Sequence, residues 1–241
     1  MDLNKQKRKA LKQFMLNSKE ECIVYLQNII AIGVKCMERH KRFVEELETI
    51  IQRYNDVDRI PYDTYSDIMN KITNVESYML NLYGDGQTTS ISYFKFRKML
   101  IKLAKKKDNS IEFYQLTNEE EDILNHFNLS RNWSNHIPES LLTSEIEMIR
   151  QGNACGHCRN PIEVNLYNYV SLEYINDLLK ASKSFQYRAK KMQQCAKKDY
   201  SLLIGESVRV SKRYIDKPKK IEDMIATKMS AKVQGLPVGE I

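Results

Sequence analysis

The sequence predicts an all-α protein, a bundle of long antiparallel helices. Three observations predict it. Apolar residues recur at spacings of three, four and seven along extended stretches of the chain. Only 8 Gly and 5 Pro punctuate 241 residues, too few turn formers for a strand-rich domain. Helix-starting signals stand at the head of the periodic stretches: Ser18 with Glu21, and Thr117 before three glutamates.

The elements follow in order. In residues 17–57, Ile23, Ile30, Val34, Met37, Val44, Leu47 and Ile51 form one apolar stripe, long enough to need partner helices. "RIPYD" stops it: Pro61 opens a turn, and Asp63 or Thr64 starts a second helix, Tyr62 to Gly84, which Gly84 and Gly86 end. "SISYFKFRKMLIKLAKKK" is a third helix with a basic flank, and "DNSIEFYQL" is a connector. Thr117 caps "NEEEDILNHFNLSRNWSNH", whose glutamates favour the positive end of the helix dipole. Ile123, Leu124, Phe127, Leu129 and Trp133 supply its apolar face, and Pro138 limits it to about His136. "ESLLTSEIEMIRQ" is a short amphipathic helix, and "GNACGHCRNPIEV" breaks it. From Ser171 to about Val210 the pattern is helical again. Residues 1–213 are expected to form one domain, with 214–241 a C-terminal helix and tail.

Hydrophobic residues at 42% and charged residues at 29% describe a folded chain rather than a disordered one. The net charge of +7 is concentrated in two acid-free runs, Tyr93 to Lys107 and Lys180 to Lys198. Such runs suit RNA or DNA, and they equally suit a solvated basic face. In the first run Lys95, Arg97, Lys98 and Lys102 are candidate RNA-binding residues. Tyr93, Phe94 and Phe96 are interleaved with them as candidate stacking groups. No run approaches the apolar length of a membrane span, and the basic N-terminus has no apolar core after it. Neither secretion nor membrane insertion is expected. The odd count of 5 Cys fits a reducing cytoplasm.

"SRNWSNH" carries the chemistry. Arg131 offers a planar cationic fork suited to a phosphate, and His136 transfers protons near neutral pH. Metal-free RNA cleavage needs both, because a base must take the 2′-hydroxyl proton while charge on the phosphoryl group is stabilised. Asn132 and His136 are four apart and share a helix face. The competing reading makes Arg131 a structural ion-pair partner of an acid such as Glu120 or Asp122, and His136 a helix end. Pro138 after His136 sets the imidazole near a helix C-terminus, which favours its protonated form.

Arg131, Asn132 and His136 resemble the Arg, four to six residues, His signature of the HEPN ribonucleases, with a polar residue directly after the Arg. The resemblance covers this motif and the helical context of roughly residues 18–150, not the C-terminal third. It implies a metal-independent endoribonuclease, with no cofactor, acting as a homodimer whose two motifs face each other. It also implies a toxin or abortive-infection role with an antitoxin or regulatory partner. A second spacing match, Arg150 to His157, lies in a glycine-rich loop. The alternative function is a non-catalytic helical scaffold that binds nucleic acid or protein.

"CGHC", Cys155 to Cys158, has neither the β-α-β context of a redox motif nor four zinc ligands; Cys195 or a second chain would have to complete a metal site. It reads first as a plain helix-connecting turn. His40 in "MERHKR" and His126 read as surface residues, and Tyr25, Tyr65 and Tyr78 sit at core spacing.

Overall fold

The computed structural model describes residues 16–87, 90–105, 111–134, 143, 146–148, 150–152 and 166–216. The fold is all-α apart from one tiny sheet. Its elements are α1 (Lys19–Arg53), β1 (Arg59–Pro61), α2 (Tyr62–Gly84), α3 (Tyr93–Ala104), α4 (Asn118–Ser134), β2 (Tyr169–Ser171) and α5 (Leu172–Ile204).

The caps explain the boundaries. Ser18 Oγ accepts from the Glu21 N–H, and Glu21 reaches back to the Asn17 N–H at 2.7 Å. Thr117 and Glu120 form a full capping box: the Glu120 N–H donates to Thr117 Oγ1 at 3.3 Å, and the Thr117 N–H donates to Glu120 Oε2 at 2.9 Å. Ser92 and Ser171 cap α3 and α5. Gly205, at φ 77°, ends α5 at Ile204, earlier than the expected Val210. The chain from 207 to 216 then runs without helix.

β1 and β2 pair antiparallel, with Ile60 opposite Val170. This ladder departs from the expected turn at Pro61. Three-residue strands are too short to display a period-two pattern.

Two apolar clusters fill the bundle. The larger joins all five of these helices through side chains such as Leu26, Tyr83, Phe96, Phe127 and Met192. The smaller gathers Leu47, Ile60, Ile68, Ile72 and Ile175 near the ladder. On α1 the buried face is centred on Cys22, Leu26, Ile29, Gly33, Cys36, His40, Val44 and Leu47. Gly33 is required where α1, α2 and α5 meet, since a Cβ there would lie 2.2 Å from Gln193 Oε1 and 2.6 Å from the Tyr83 hydroxyl. Gln193 uses the space: its Oε1 accepts from Tyr83 at 2.9 Å, and its Nε2 donates to the Ile30 carbonyl at 2.8 Å.

His40 is a correction to the surface reading. It is fully buried, its Nε2 is 2.8 Å from Glu76 Oε1, and its ring centroid is 5.7 Å from that of Phe185. Its polar sequence neighbours hid a position on the buried stripe, four residues from both Cys36 and Val44. Tyr78 is exposed, whereas Tyr25 is buried as expected.

Asp199 on α5 is fully buried and organises one side of the bundle. It accepts from Arg97 Nη1 at 2.9 and 3.1 Å, from the Tyr93 hydroxyl at 2.6 Å and from the Tyr114 N–H at 2.8 Å. Burial pushes its carboxyl above the ordinary range, while Arg97 and the other donors oppose the rise. Removing one partner of such a pair strands the other charge. Asp199→Ala is therefore expected to cost about 3–5 kcal/mol in urea unfolding. Lys183→Ala, which opens the exposed Lys183–Glu48 pair, is expected to cost under about 1 kcal/mol.

Glu120 also ties α4 to α5. Burial pushes its carboxyl up, but hydrogen bonds from the Thr117 N–H, Tyr114, Cys195 and Lys198 outweigh that and bring it down from 4.5 to about 2. A folded-state value below the unfolded one stabilises above the unfolded pKa and is lost as pH falls through the folded one. Wild type is expected to lose about 2 kcal/mol from this group between roughly pH 5 and 2, less than the bare shift implies because Lys198 is half exposed to solvent. Chemical denaturation across that range should show Glu120→Gln lacking this component.

Candidate active site

Arg131 stands in the last turns of α4, where a cation suits the helix dipole. Its partner is neither Glu120 nor Asp122. Arg131 Nε donates to Asn81 Oδ1 at 3.2 Å, and Nη2 lies 3.4 Å from Asp85 Oδ2. Its side chain is only 12% exposed, so the fork is held at the end of the bundle rather than waving in solvent. Asn132 lies in the same last turn. Its side chain, and the whole of His136, fall outside the described residues.

Asp85 is placed by the backbone around it. It follows Gly84 at the end of α2 and its N–H donates to the Asn81 carbonyl. The Gln87 N–H donates to Asp85 Oδ1 at 2.9 Å, and Ser92 Oγ donates to the Asp85 carbonyl. Ser92 is fixed in turn by Tyr25, whose hydroxyl accepts from the Ser92 N–H at 2.9 Å. Burial pushes the Tyr25 hydroxyl to about 12, so it stays protonated. The ends of α2 and α4 and the start of α3 thus converge on Asp85.

Lys95, one of the four candidate RNA-binding residues, joins them. It is half-buried and donates to the Ser90 carbonyl at 3.0 Å. Burial lowers its pKa, and the Asp85 carboxylate acts against that fall. Lys98 and Lys102 are exposed on the same face of α3, at spacings of three and four. Lys98 Nζ sits 4.0 Å over the Phe94 ring. Arg97 does not join that face. It points inward, 6% exposed, to Asp199 and the Tyr114 carbonyl. Tyr93 and Phe96 are fully buried and so are core groups rather than stacking platforms.

The second acid-free run is partly paired. Lys183 meets Glu48, Lys191 meets Glu119, Lys198 meets Glu120, and Lys180 meets Asp177. Three of those four acids come from other helices.

His126, one of the histidines read as surface, is exposed with company. Arg188 Nη1 is 3.1 Å from both of its ring nitrogens, and Ser130 Oγ is 3.1 Å from Nδ1. Burial first, and then the Arg188 charge, lower its pKa and favour the neutral ring.

Cys155, His157 and Cys158 lie outside the described residues. Cys195 is buried, and burial and the Glu120 carboxylate push its thiol up to about 12. Among the described residues no group of three His, Cys, Asp or Glu is arranged to hold a metal ion. No helix among them is long and apolar enough to cross a membrane.

Asn81 and Asp85 are the site residues that sequence reasoning missed. The only signal was the turn "YGDGQ", which marks a helix end and not a partner for Arg131. Gly84 sets the approach of the two helices: a Cβ there would lie 2.4 Å from the Phe127 carbonyl carbon and oxygen. Asn128 Nδ2 bridges the gap to the Gly84 carbonyl at 2.6 Å. Gly84→Ala must push backbone against backbone. It is expected to cost about 1–3 kcal/mol in urea unfolding and to loosen the Arg131 contacts. The chain matches no family model, no curated protein and no solved structure.

Proposed function

We propose that this chain is a metal-independent endoribonuclease of the HEPN type, cutting RNA with Arg131 and His136 and working as a homodimer. The supporting observation is the clamped guanidinium of Arg131, held by Asn81 and Asp85 where three helix ends meet, with Lys95 beside them. A cation that must meet a phosphate in one orientation benefits from being set before the substrate arrives.

In this reading the 2′-hydroxyl oxygen attacks the adjoining phosphorus and loses its proton to a base. The 5′-oxygen leaves and takes up a proton, and the products are a 2′,3′-cyclic phosphate and a 5′-hydroxyl. His136 supplies or removes one of those protons, Arg131 stabilises the charge gathered on the phosphoryl oxygens, and Asn132 positions one of the two. A toxin or phage-defence role, with an antitoxin or regulatory partner, follows from the family resemblance alone.

A second reading is favoured by the same ion pair. An arginine already bonded to a buried carboxylate also suits a structural post. The chain would then be a helical scaffold that binds nucleic acid or protein without chemistry.

The test is RNA cleavage in EDTA by wild type, His136→Ala and Arg131→Lys, each verified as folded by circular dichroism and thermal melting. Lysine keeps a charge opposite Asp85 but loses the fork. Cyclic-phosphate ends from wild type, with losses of about 100-fold or more in both variants, are the expected result. Variants that cut as well as wild type, or a wild type that binds RNA without cutting it, would leave the scaffold.

A further inference from the structure

A groove of about 840 Å³ runs between the outer face of α1 and the non-helical stretch 207–216. It shares no lining residue with the Arg131 site and is lined along α1 from Ala31 to Glu45. That is about 21 Å of helix at 1.5 Å per residue. Its floor is apolar, from Ala31, Val34 and Val210, and its walls carry six basic side chains against two acidic ones.

The charges differ in their commitments. Lys212 is bonded to the Glu38 carboxylate, and Lys41 pairs with Glu45 at 3.6 Å. These contacts use both acids of the groove. Lys35, Arg39, Arg42 and Arg213 have no ion-pair partner among the described residues, and all four are exposed. Lys35, Arg39 and Arg42 are spaced four and three apart and share one face of α1. Tyr214, 83% exposed, lines the groove next to Arg213.

We infer that this groove binds single-stranded RNA, with Lys35, Arg39, Arg42 and Arg213 on successive phosphates and Tyr214 stacking on a base. Three features select that ligand. The groove extends along a helix, which fits a strand better than a small anion. Three of the four cations outside ion pairs are arginines, whose forks match phosphate oxygens, and Arg42 also lies over the Phe43 ring at 5.3 Å. An exposed aromatic beside a basic track is the pattern that holds single strands without reading sequence. The inference shares its ligand class with the ribonuclease reading and otherwise stands apart from it, because none of these residues belongs to the Arg131 site.

The test is binding of a single-stranded RNA oligonucleotide to the full chain across a salt series, measured by fluorescence anisotropy in EDTA. His136→Ala serves as the background that keeps the RNA intact. On it, Arg39→Gln, Arg42→Gln and Arg213→Gln are combined in one variant. Each lost phosphate contact removes about 0.7 from the slope of log affinity against log salt, so this variant should be shallower by about 2 and weaker by about tenfold or more. A control of equal charge change, Lys180→Gln with Lys183→Gln and Lys191→Gln, removes cations that already have carboxylate partners and should lose less than about threefold. Thermal melting verifies that all the proteins are folded.

Equal losses in both triple variants would show a response to net charge and overturn the groove. So would unchanged binding in the groove variant. Displacement of RNA by polyglutamate at matched charge would overturn it in favour of an acidic polypeptide. The two proposals fail separately. A wild type that binds RNA through the groove but never cuts it sinks the ribonuclease alone. One that cuts while the groove variant binds normally sinks the groove alone.

Discussion

A single buried carboxylate sets how α3 and the connector after it sit against α5. Asp199 gathers Arg97 and Tyr93 from α3 and the Tyr114 N–H from the connector, so α3 has one rotational setting against α5. Turning α3 by one residue's step would take Arg97 away from Asp199. With α3 set, Ser92 at its start meets both Tyr25 and the Asp85 carbonyl. Asp85 then stands where it can hold Arg131. The order at the candidate site is thus inherited from a contact on a different side of α3, transmitted through rigid helix ends.

The distribution of charge follows the same logic. A run of lysines without a neighbouring acid looks like a free basic surface when read along the chain. On α5 three of these lysines are met across space by Glu48, Glu119 and Glu120. On α1, where acids alternate with bases in the sequence, Lys35, Arg39 and Arg42 have no ion-pair partner among the described residues. Local charge along the sequence therefore does not tell which cations are paired in the fold.

Much of the framework was legible because it depends on near neighbours. The bounds of α2 follow from Pro61 and Gly84, and the start of α4 follows from Thr117 and Glu120. These are contacts within a few residues, which a linear pattern records. What escaped depends on partners far along the chain. His40 sits in a polar run and is buried because Glu76, 36 residues on, meets it. Arg97 alternates with lysines and faces the core because Asp199 is there, 102 residues away. The competing reading paired Arg131 with an acid such as Glu120 or Asp122, and its partners are Asn81 and Asp85 at the end of α2. Periodicity tells which residues share a face of a helix. It does not tell which other helix that face will meet, and the character of the candidate site rests on such meetings.

The bond between Gln193 and the Ile30 carbonyl joins positions 163 residues apart. It belongs to the close packing of α1 on α5 that Gly33 permits. During synthesis, α1 leaves the ribosome long before its main partner exists. At ordinary elongation speeds of about 5–20 residues per second, the interval is roughly 8–33 s. Through that time Leu26, Ile29 and their neighbours have no α5 to cover them, and the earlier helices offer only partial shelter. The apolar face of α1 thus stays incompletely covered for most of the time the chain is being made. Its final closure is a late event, made only when the last long helix arrives.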